Sequence, residues 1–173
     1  MNYKAVIFDL DGVICFTDHY HFLAWKALAD SLGIPFDEAK NDRLRGVSRM
    51  ASLEIVLERS EKSYTSAEKQ AFAEEKNANY RKLLAAMSPA DITKEVRGTL
   101  EELKKRGYRL AVGSSSKNTP LILERTDTKK YFDAVSDGNN IVRSKPDPEV
   151  FVKAAEMLGR PPSECLVVED ALA

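Results

Sequence analysis

The stretch AVIFDLDGV, residues 5–13, decides how the rest of the chain is interpreted. It begins with a continuous apolar run, which is typical of a strand buried on both faces of a parallel sheet. Asp9 and Asp11 follow where that strand ends. By itself the acidic segment predicts a turn, because Asp and Gly favour turns, and Gly12 comes too early for an EF-hand calcium loop. The alternative is a pair of carboxylates placed for chemistry.

Later segments alternate between strand and helix patterns. The further predicted strands are YRLAVG (residues 108–113), FDAVSD (132–137) and LVV (166–168). The predicted helices are residues 95–107 with Gly107 as C-cap, a helix from about Asn118, and residues 147–159 with Pro148 in the first turn. Strands that alternate with helices of this length predict an α/β fold with a parallel sheet covered on both faces.

The middle of the chain carries no convincing strand pattern. Apolar residues recur at helical spacing in three segments, residues 21–33, 49–60 and 66–87. They predict a helical bundle inserted after the first strand, with a core of residues 1–16 and 88–173 and a cap domain of residues 17–87. The charge-rich run EEKNANYRK, residues 74–82, predicts a helix face that is mostly solvated.

Composition excludes several functional classes. The 173 residues carry 26 Lys and Arg against 27 Asp and Glu, a net charge of −1, so no global field favours a nucleic-acid or membrane partner. Only Cys15 and Cys165 are present, far apart, which argues against a zinc site or a disulfide scaffold and favours a reduced, cytoplasmic protein. No apolar run is long enough to span a membrane.

Polar clusters follow each predicted strand. Asp9 and Asp11 end the first strand, Ser114–Ser116 the second, and Glu169 with Asp170 the last, while Lys145 follows the short strand. Since ligands of an open parallel sheet gather at the carboxyl ends of its strands, these groups are expected to converge. Carboxylates, hydroxyls and a lysine suit a divalent cation such as Mg²⁺ together with a phosphoryl group.

The four strand-end motifs resemble those of the haloacid dehalogenase-like superfamily, which has a Rossmann-like core and, in many members, an inserted cap. Further motifs resemble its β-phosphoglucomutase family, and the resemblance covers essentially the whole chain. They are HYH (residues 19–21), AWK (24–26), RGVSR (45–49), KN (76–77), SPAD (88–91) and SSSKN (114–118).

The resemblance implies roles for individual residues. Asp9 would be the nucleophile that forms an aspartyl-phosphate, and Asp11 the general acid and base. Ser114 and Lys145 would donate to the transferring phosphate. One Mg²⁺ per subunit would be held by Asp9, the Asp11 carbonyl, Glu169 and Asp170. The implied substrate-binding residues are Thr17, His21, Trp25, Gly46, Val47, Ser48, Arg49, Ser52, Lys76, Ser115, Ser116, Lys117 and Asn118.

The implied reaction interconverts β-D-glucose 1-phosphate and glucose 6-phosphate, with β-glucose 1,6-bisphosphate as intermediate and activator. Its partners would be small sugar phosphates, with no nucleic acid or membrane, and the protein would be a cytoplasmic monomer. Arg49 would hold the phosphate that is not transferred, and cap closure would exclude water.

Two departures from the family pattern leave alternatives open. Phe16 is apolar where the family commonly has a polar hinge residue. The family also continues beyond its acidic pair into a helix and a further strand, so we expect a core truncated at its C-terminal end. The alternatives are a sugar-phosphate phosphatase with the same chemistry, and a truncated, inactive chain that still binds Mg²⁺.

Overall fold

The structure is a computed structural model that describes residues 3–45 and 47–170. Two units make up the fold: residues up to Thr17 together with those from Met87 onward form an α/β unit, and Asp18–Ala86 form a helical unit. Thr17 and Met87, which the sequence placed in the insertion, belong to the α/β unit. The role of the helical unit as a cap stays a prediction.

The helical unit contains α1 (Asp18–Ser31), α2 (Glu38–Asp42), α3 (Arg49–Leu57) and α4 (Ser66–Leu84). Its core is formed mainly by α1, α3 and α4, and includes Trp25, Leu28, Leu53, Val56 and Ala73. The sequence did not predict α2, a five-residue helix whose N-cap carboxylate, Asp37, accepts a hydrogen bond of 2.8 Å from the Lys40 N–H. A helix this short has too few periodic apolar positions to be recognised.

The charge-rich segment of α4 is only partly solvated, as Lys76 and Tyr80 are 3 % and 0 % exposed. Together with Ala73 and Leu84 they are the buried residues of this helix. The prediction of a mostly solvated face therefore misses two positions, because the spacing of 73, 76, 80 and 84 puts a lysine on the buried stripe.

The α/β unit is built on β1 (Ala5–Phe8), β2 (Arg109–Gly113), β3 (Ala134–Ser136) and β4 (Cys165–Val168). All paired strands are parallel, in the order β3-β2-β1-β4, which confirms the predicted fold class. Phe8 lies opposite Val112 on one side and Val168 on the other. The strands therefore end at the same edge of the sheet.

Three helices of this unit are α5 (Lys94–Lys105), α6 (Thr119–Arg125) and α7 (Glu149–Met157). Helix α7 packs on β1, β2 and β3, and the core on this face is formed by Ala5, Ile7, Ala111, Ala134, Ala154, Ala155 and Leu158. Pro148 occupies the N-cap of α7 instead of its first turn, because its ψ of 0° is outside the helical range. Within the described ranges, no helix is long and apolar enough to cross a membrane.

Candidate active site

The candidate site lies where the sheet changes its direction of growth. The chain adds β2 and then β3 on one side of β1 and returns to add β4 on the other side, so the boundary between β1 and β4 is a topological switch point. Asp9 directly follows β1 there, and its N–H donates to the Val168 carbonyl at 2.9 Å. The Asp9 residue is only 7 % exposed.

Lys145 joins the two acidic strand ends. Its Nζ lies 2.7 Å from Asp9 Oδ1 and 2.5 Å from Glu169 Oε2, and its side chain is 6 % exposed. Its backbone N–H donates to Ser115 Oγ at 3.3 Å, and the ammonium lies 4.8 Å from the centre of the Phe151 ring. A buried ammonium shared by two carboxylates offsets charge that would otherwise repel.

Burial decides the protonation behaviour of Asp9. Desolvation raises its pKa to about 6, although the positive charge of Lys145 and its hydrogen bond pull the pKa down. The nearby Glu169 charge adds to the increase. An Asp whose pKa lies this close to neutrality is typical of a functional site more than of a surface ion pair.

Three carboxylates meet closely enough to hold a metal ion. One oxygen each of Asp9, Glu169 and Asp170 lies within 4.8 Å of the others. An all-oxygen donor set of this kind fits a hard divalent cation such as Mg²⁺. The side chain of Asp11 is outside this group, and the predicted contribution of its backbone carbonyl stays a prediction.

Gly12 lets the loop after β1 approach the loop after β4. Its φ of +83° is in the left-handed region, and a Cβ at this position would lie 2.1 Å from Asp170 Oδ2. Any side chain would therefore displace the Asp170 carboxylate as well as strain the backbone.

Asp11 is held by Thr17, the residue before α1. The Thr17 hydroxyl donates to Asp11 Oδ1, and the Thr17 N–H donates to the same oxygen at 3.3 Å. Between them, Cys15 is buried, and burial with the charges of Asp11 and Asp9 raises the pKa of its thiol. Phe16 has no such role, being 67 % exposed.

The loop after β2 is arranged by its own hydroxyls. Ser114 is 3 % exposed, its N–H donates to the Ser136 carbonyl at 3.1 Å, and its Oγ accepts from the Ser116 N–H at 3.2 Å. The Ser116 Oγ in turn accepts from the Asn118 N–H at 3.2 Å. This orders the run from Ser114 through Lys117 to Asn118 at the same sheet edge as Asp9.

In the helical unit, the buried Lys76 forms a polar pair with the half-buried His21. Lys76 Nζ lies 2.9 Å from His21 Nδ1 and 4.6 Å from the ring centres of both Trp25 and Tyr80. The His21 and Tyr80 rings are 4.1 Å apart. Burial, followed by the charges of Lys76 and Arg49, lowers the pKa of His21 well below its usual range, so the imidazole is neutral and accepts from the ammonium.

The segment before α3 presents the other predicted binding residues. Ser48 is the N-cap of α3, and Ser52 Oγ donates to the Val47 carbonyl at 3.4 Å. Arg49 begins the helix and is half-buried; burial lowers the pKa of its guanidinium, and the charge of Glu74 opposes this shift. Gly46, also predicted to bind substrate, lies outside the described residues.

The structure thus groups the predicted residues into two sets. Asp9, Lys145, Glu169 and Asp170 converge in the α/β unit, and His21, Trp25 and Lys76 converge in the helical unit. Sequence reasoning missed Phe151 and the Ser115 contact to the Lys145 backbone. A single aromatic residue in an amphipathic helix carries no signal that could have identified it.

Comparison with known proteins adds independent findings. The family model for haloacid dehalogenase-like hydrolases matches residues 3–173. A β-phosphoglucomutase of Bacillus subtilis (strain 168) is 44 % identical over 170 residues, which are 97 % of this chain and 75 % of that protein. A phosphorylated carbohydrates phosphatase of Thermotoga maritima is 34 % identical over 97 % of this chain and 76 % of its own length.

Solved structures give the same picture. The crystal structure of a β-phosphoglucomutase from Clostridium difficile matches with a TM-score of 0.92 and 37 % identity. The match covers 98 % of this chain and 77 % of that one. The chain is therefore a homologue of β-phosphoglucomutase in sequence and in fold.

Gly12→Ala is expected to weaken Mg²⁺ binding by about tenfold or more, because a Cβ displaces Asp170. The matched control is Gly107→Ala, since Gly107 has the same φ of +83° but open space around it. Each variant should lose about 1–2 kcal/mol of stability from the backbone strain. Calorimetric titration with MgCl₂ separates the two effects, and wild-type affinity in Gly12→Ala would argue against a metal site at these carboxylates.

Acidification is expected to destabilise the helical unit through His21. Its pKa is lowered on folding, so below about pH 6.5 the unfolded state binds a proton that the folded state does not. This contribution costs up to about 1.4 kcal/mol per pH unit and is absent above that pH. Urea unfolding of His21→Gln between pH 5.5 and 7.5 should show a smaller loss of stability on acidification than the wild type.

The only other histidine provides the control for this prediction. His19 is exposed, and His19→Gln should keep the wild-type pH dependence. If both variants behave alike, the imidazole of His21 is not the group whose protonation opposes folding.

Proposed function

The chain belongs to the haloacid dehalogenase-like hydrolase family, and we propose that it interconverts β-D-glucose 1-phosphate and glucose 6-phosphate through β-glucose 1,6-bisphosphate. The observation that carries the proposal is the buried Asp9–Lys145 pair beside Glu169 and Asp170. It supplies a carboxylate nucleophile, a cation for the transferring phosphate and oxygen ligands for a metal. The identity to a β-phosphoglucomutase over nearly the whole chain supports the choice of substrate.

Asp9 acts as the nucleophile. One carboxylate oxygen forms a bond to phosphorus as the bond between phosphorus and the sugar oxygen breaks, which leaves an aspartyl-phosphate. Lys145 lies against Asp9, and its ammonium would stabilise the negative charge that develops on the phosphoryl oxygens. The buried Ser114 hydroxyl would be a second hydrogen-bond donor to them.

Asp11 moves the proton that this step requires. It gives a proton to the leaving sugar oxygen and takes one back from the hydroxyl that attacks the aspartyl-phosphate. The contact with Thr17 keeps the Asp11 carboxylate oriented, so the two aspartates do different work from neighbouring positions.

The carboxylates of Asp9, Glu169 and Asp170, with the Asp11 carbonyl, would hold one Mg²⁺ per subunit. When bound, the ion supplies positive charge that favours the ionised form of Asp9 and neutralises the phosphoryl oxygens. The close approach of Gly12 and Asp170 supports this assignment.

Arg49 binds the phosphate that is not transferred. It is a half-buried cation at the start of α3, and its guanidinium can hold a phosphate with two parallel hydrogen bonds. The other residues assigned to substrate are Thr17, His21, Trp25, Val47, Ser48, Ser52, Lys76, Ser115, Ser116, Lys117 and Asn118. We also propose that the protein is cytoplasmic, because its substrates are small intracellular metabolites, and that it acts as a monomer.

A sugar-phosphate phosphatase is the second candidate. The similarity to the phosphorylated carbohydrates phosphatase favours it, since the same aspartyl-phosphate can be attacked by water. The difference between the two functions lies in whether a bisphosphate is held long enough to return its phosphate.

The function is tested by a coupled assay for glucose 6-phosphate with β-glucose 1-phosphate, Mg²⁺ and catalytic β-glucose 1,6-bisphosphate. Asp9→Asn should lower turnover by about four orders of magnitude and abolish phosphoenzyme, because an amide is a poor nucleophile. Asp30→Asn, which changes an exposed aspartate, is the control. Release of inorganic phosphate in place of glucose 6-phosphate would select the phosphatase, and a folded protein without phosphoenzyme would select the inactive Mg²⁺-binding chain.

Arg49→Ala should separate mutase from phosphatase chemistry. Loss of a single hydrogen bond to a charged group costs about 1.5–3 kcal/mol, so removing both should lower mutase activity by at least about 10- to 100-fold. Hydrolysis of p-nitrophenyl phosphate should change little, because that ester has no second phosphate. Arg59→Ala removes an exposed arginine of the same unit and should affect neither rate. Equal losses in both assays for Arg49→Ala would contradict the assignment.

A further inference from the structure

The segment that leads to Lys145 is fastened to helix α7 by one carboxylate. Glu149, the first residue of α7, accepts the Val142 N–H on Oε1 at 2.8 Å and the Arg143 N–H on Oε2 at 2.9 Å. Both oxygens of the side chain are therefore used on consecutive backbone amides. Those hydrogen bonds lower the pKa of Glu149, so the group is a carboxylate throughout the physiological range.

Two further side chains of α7 contact the same segment. Lys153 Nζ donates to the Asn140 carbonyl at 2.5 Å, one helical turn after Glu149. Phe151 lies under Lys145, with its ring centre 4.8 Å from Nζ. Side chains of α7 thus contact four groups of the segment: two backbone N–H groups, one backbone carbonyl and the Lys145 ammonium.

Helix α7 is a rigid support for these contacts. Its Val150, Ala154 and Ala155 are buried, and the helix packs on the three strands β1, β2 and β3. A Cβ on Gly113 would lie 2.7 Å from the Phe151 ring, so this ring is in close contact with the end of β2. The position of Glu149 is consequently fixed relative to the strand that carries Asp9.

A local charge network completes the attachment. Arg143 Nε lies 3.2 Å from Glu149 Oε2 and 3.0 Å from Asp147 Oδ2. Asp147 Oδ1 accepts the Glu149 N–H at 3.0 Å, and the Asp147 N–H donates to the Ser144 carbonyl at 3.1 Å. The residues on both sides of Lys145 are in this way bound to the start of α7.

We propose that Glu149 is a positioning residue for Lys145: it holds the 142–143 backbone so that the ammonium reaches Asp9. The inference rests on the proposed function, in which Lys145 stabilises the transferring phosphate. Glu149 itself touches neither substrate nor the reacting atoms. Nothing in the roles assigned above accounts for a carboxylate next to the catalytic lysine whose two oxygens each accept from a backbone amide.

The chemistry of the acceptor makes the proposal specific. A carboxylate can accept from two adjacent N–H groups, whereas the Gln amide has one oxygen and would place its NH₂ group against the second donor. Reaction rates depend steeply on placement, and a shift of about 1 Å in a catalytic group can cost about 100-fold. A looser segment should therefore affect turnover more than binding of the substrate.

The kinetic test compares Glu149→Ala, Glu149→Gln and Glu149→Asp with Glu156→Ala, which removes an exposed glutamate from the same helix. Glu149→Ala and Glu149→Gln should lower kcat about 10- to 100-fold with little change in KM. Glu149→Asp keeps both acceptor oxygens and should recover part of the loss, and Glu156→Ala should match the wild type. Unchanged kcat in Glu149→Ala would overturn the proposal.

A second measurement does not depend on activity. Reductive methylation of the folded protein, read by peptide mass spectrometry, reports how tightly each lysine amine is held. Lys145 should react slowly in the wild type and in Glu156→Ala, and severalfold faster in Glu149→Ala. Lys40 and Lys76, buried in the helical unit, are the references for general loosening; a rise at all three lysines, or none at Lys145, would overturn the positioning role.

The two measurements keep the two proposals apart. If the wild type converts no β-glucose 1-phosphate, the proposed function fails, and methylation alone decides whether Glu149 holds Lys145. If turnover is present and methylation of Lys145 is insensitive to Glu149, only the positioning role fails.

Discussion

The fold brings negative charge to one place, and Lys145 is the group that makes this tolerable. Parallel strands end at a common edge, so the acidic residues after β1 and β4 are forced together. A single buried ammonium bonded to Asp9 and Glu169 offsets their repulsion. Removing one partner of such a buried pair typically costs about 3–5 kcal/mol, so stability and the proposed chemistry depend on the same contact.

The surrounding structure can be understood as support for that contact. Burial raises the pKa of Asp9 to about 6, while Lys145 opposes the shift. The pKa of this carboxyl group therefore lies close to neutral pH. Gly12 has no side chain and so leaves room for the Asp170 carboxylate, and the Ser115 hydroxyl accepts a hydrogen bond from the Lys145 backbone. Gly12 and Ser115 are uncharged, and they contribute by positioning the charged groups.

The helical unit also buries a lysine, and here aromatic rings and a histidine lie next to the ammonium. Lys76 is buried against the Trp25 and Tyr80 rings, and its Nζ lies 2.9 Å from Nδ1 of a neutral His21, so two aromatic rings and an imidazole contact a lysine in the core of this unit. The attraction between an ammonium and aromatic faces grows when both are desolvated. The arrangement is sensitive to acid, because the His21 imidazole can accept a hydrogen bond from Lys76 only while it is neutral.

The sequence by itself determined which strand ends carry the polar residues of the candidate site. The apolar run before Asp9 and the polar residues after each later run were enough to predict a parallel α/β sheet with its acidic edge, because strand ends in such a sheet converge. It could not determine which side chains support that edge. Gly12 acts through a contact with Asp170, far away in sequence, whereas Glu149 and Phe151 act on a nearby loop whose path no sequence pattern shows. Only the tertiary structure decided these contacts, by packing α7 on the sheet and bringing the loops after β1 and β4 together.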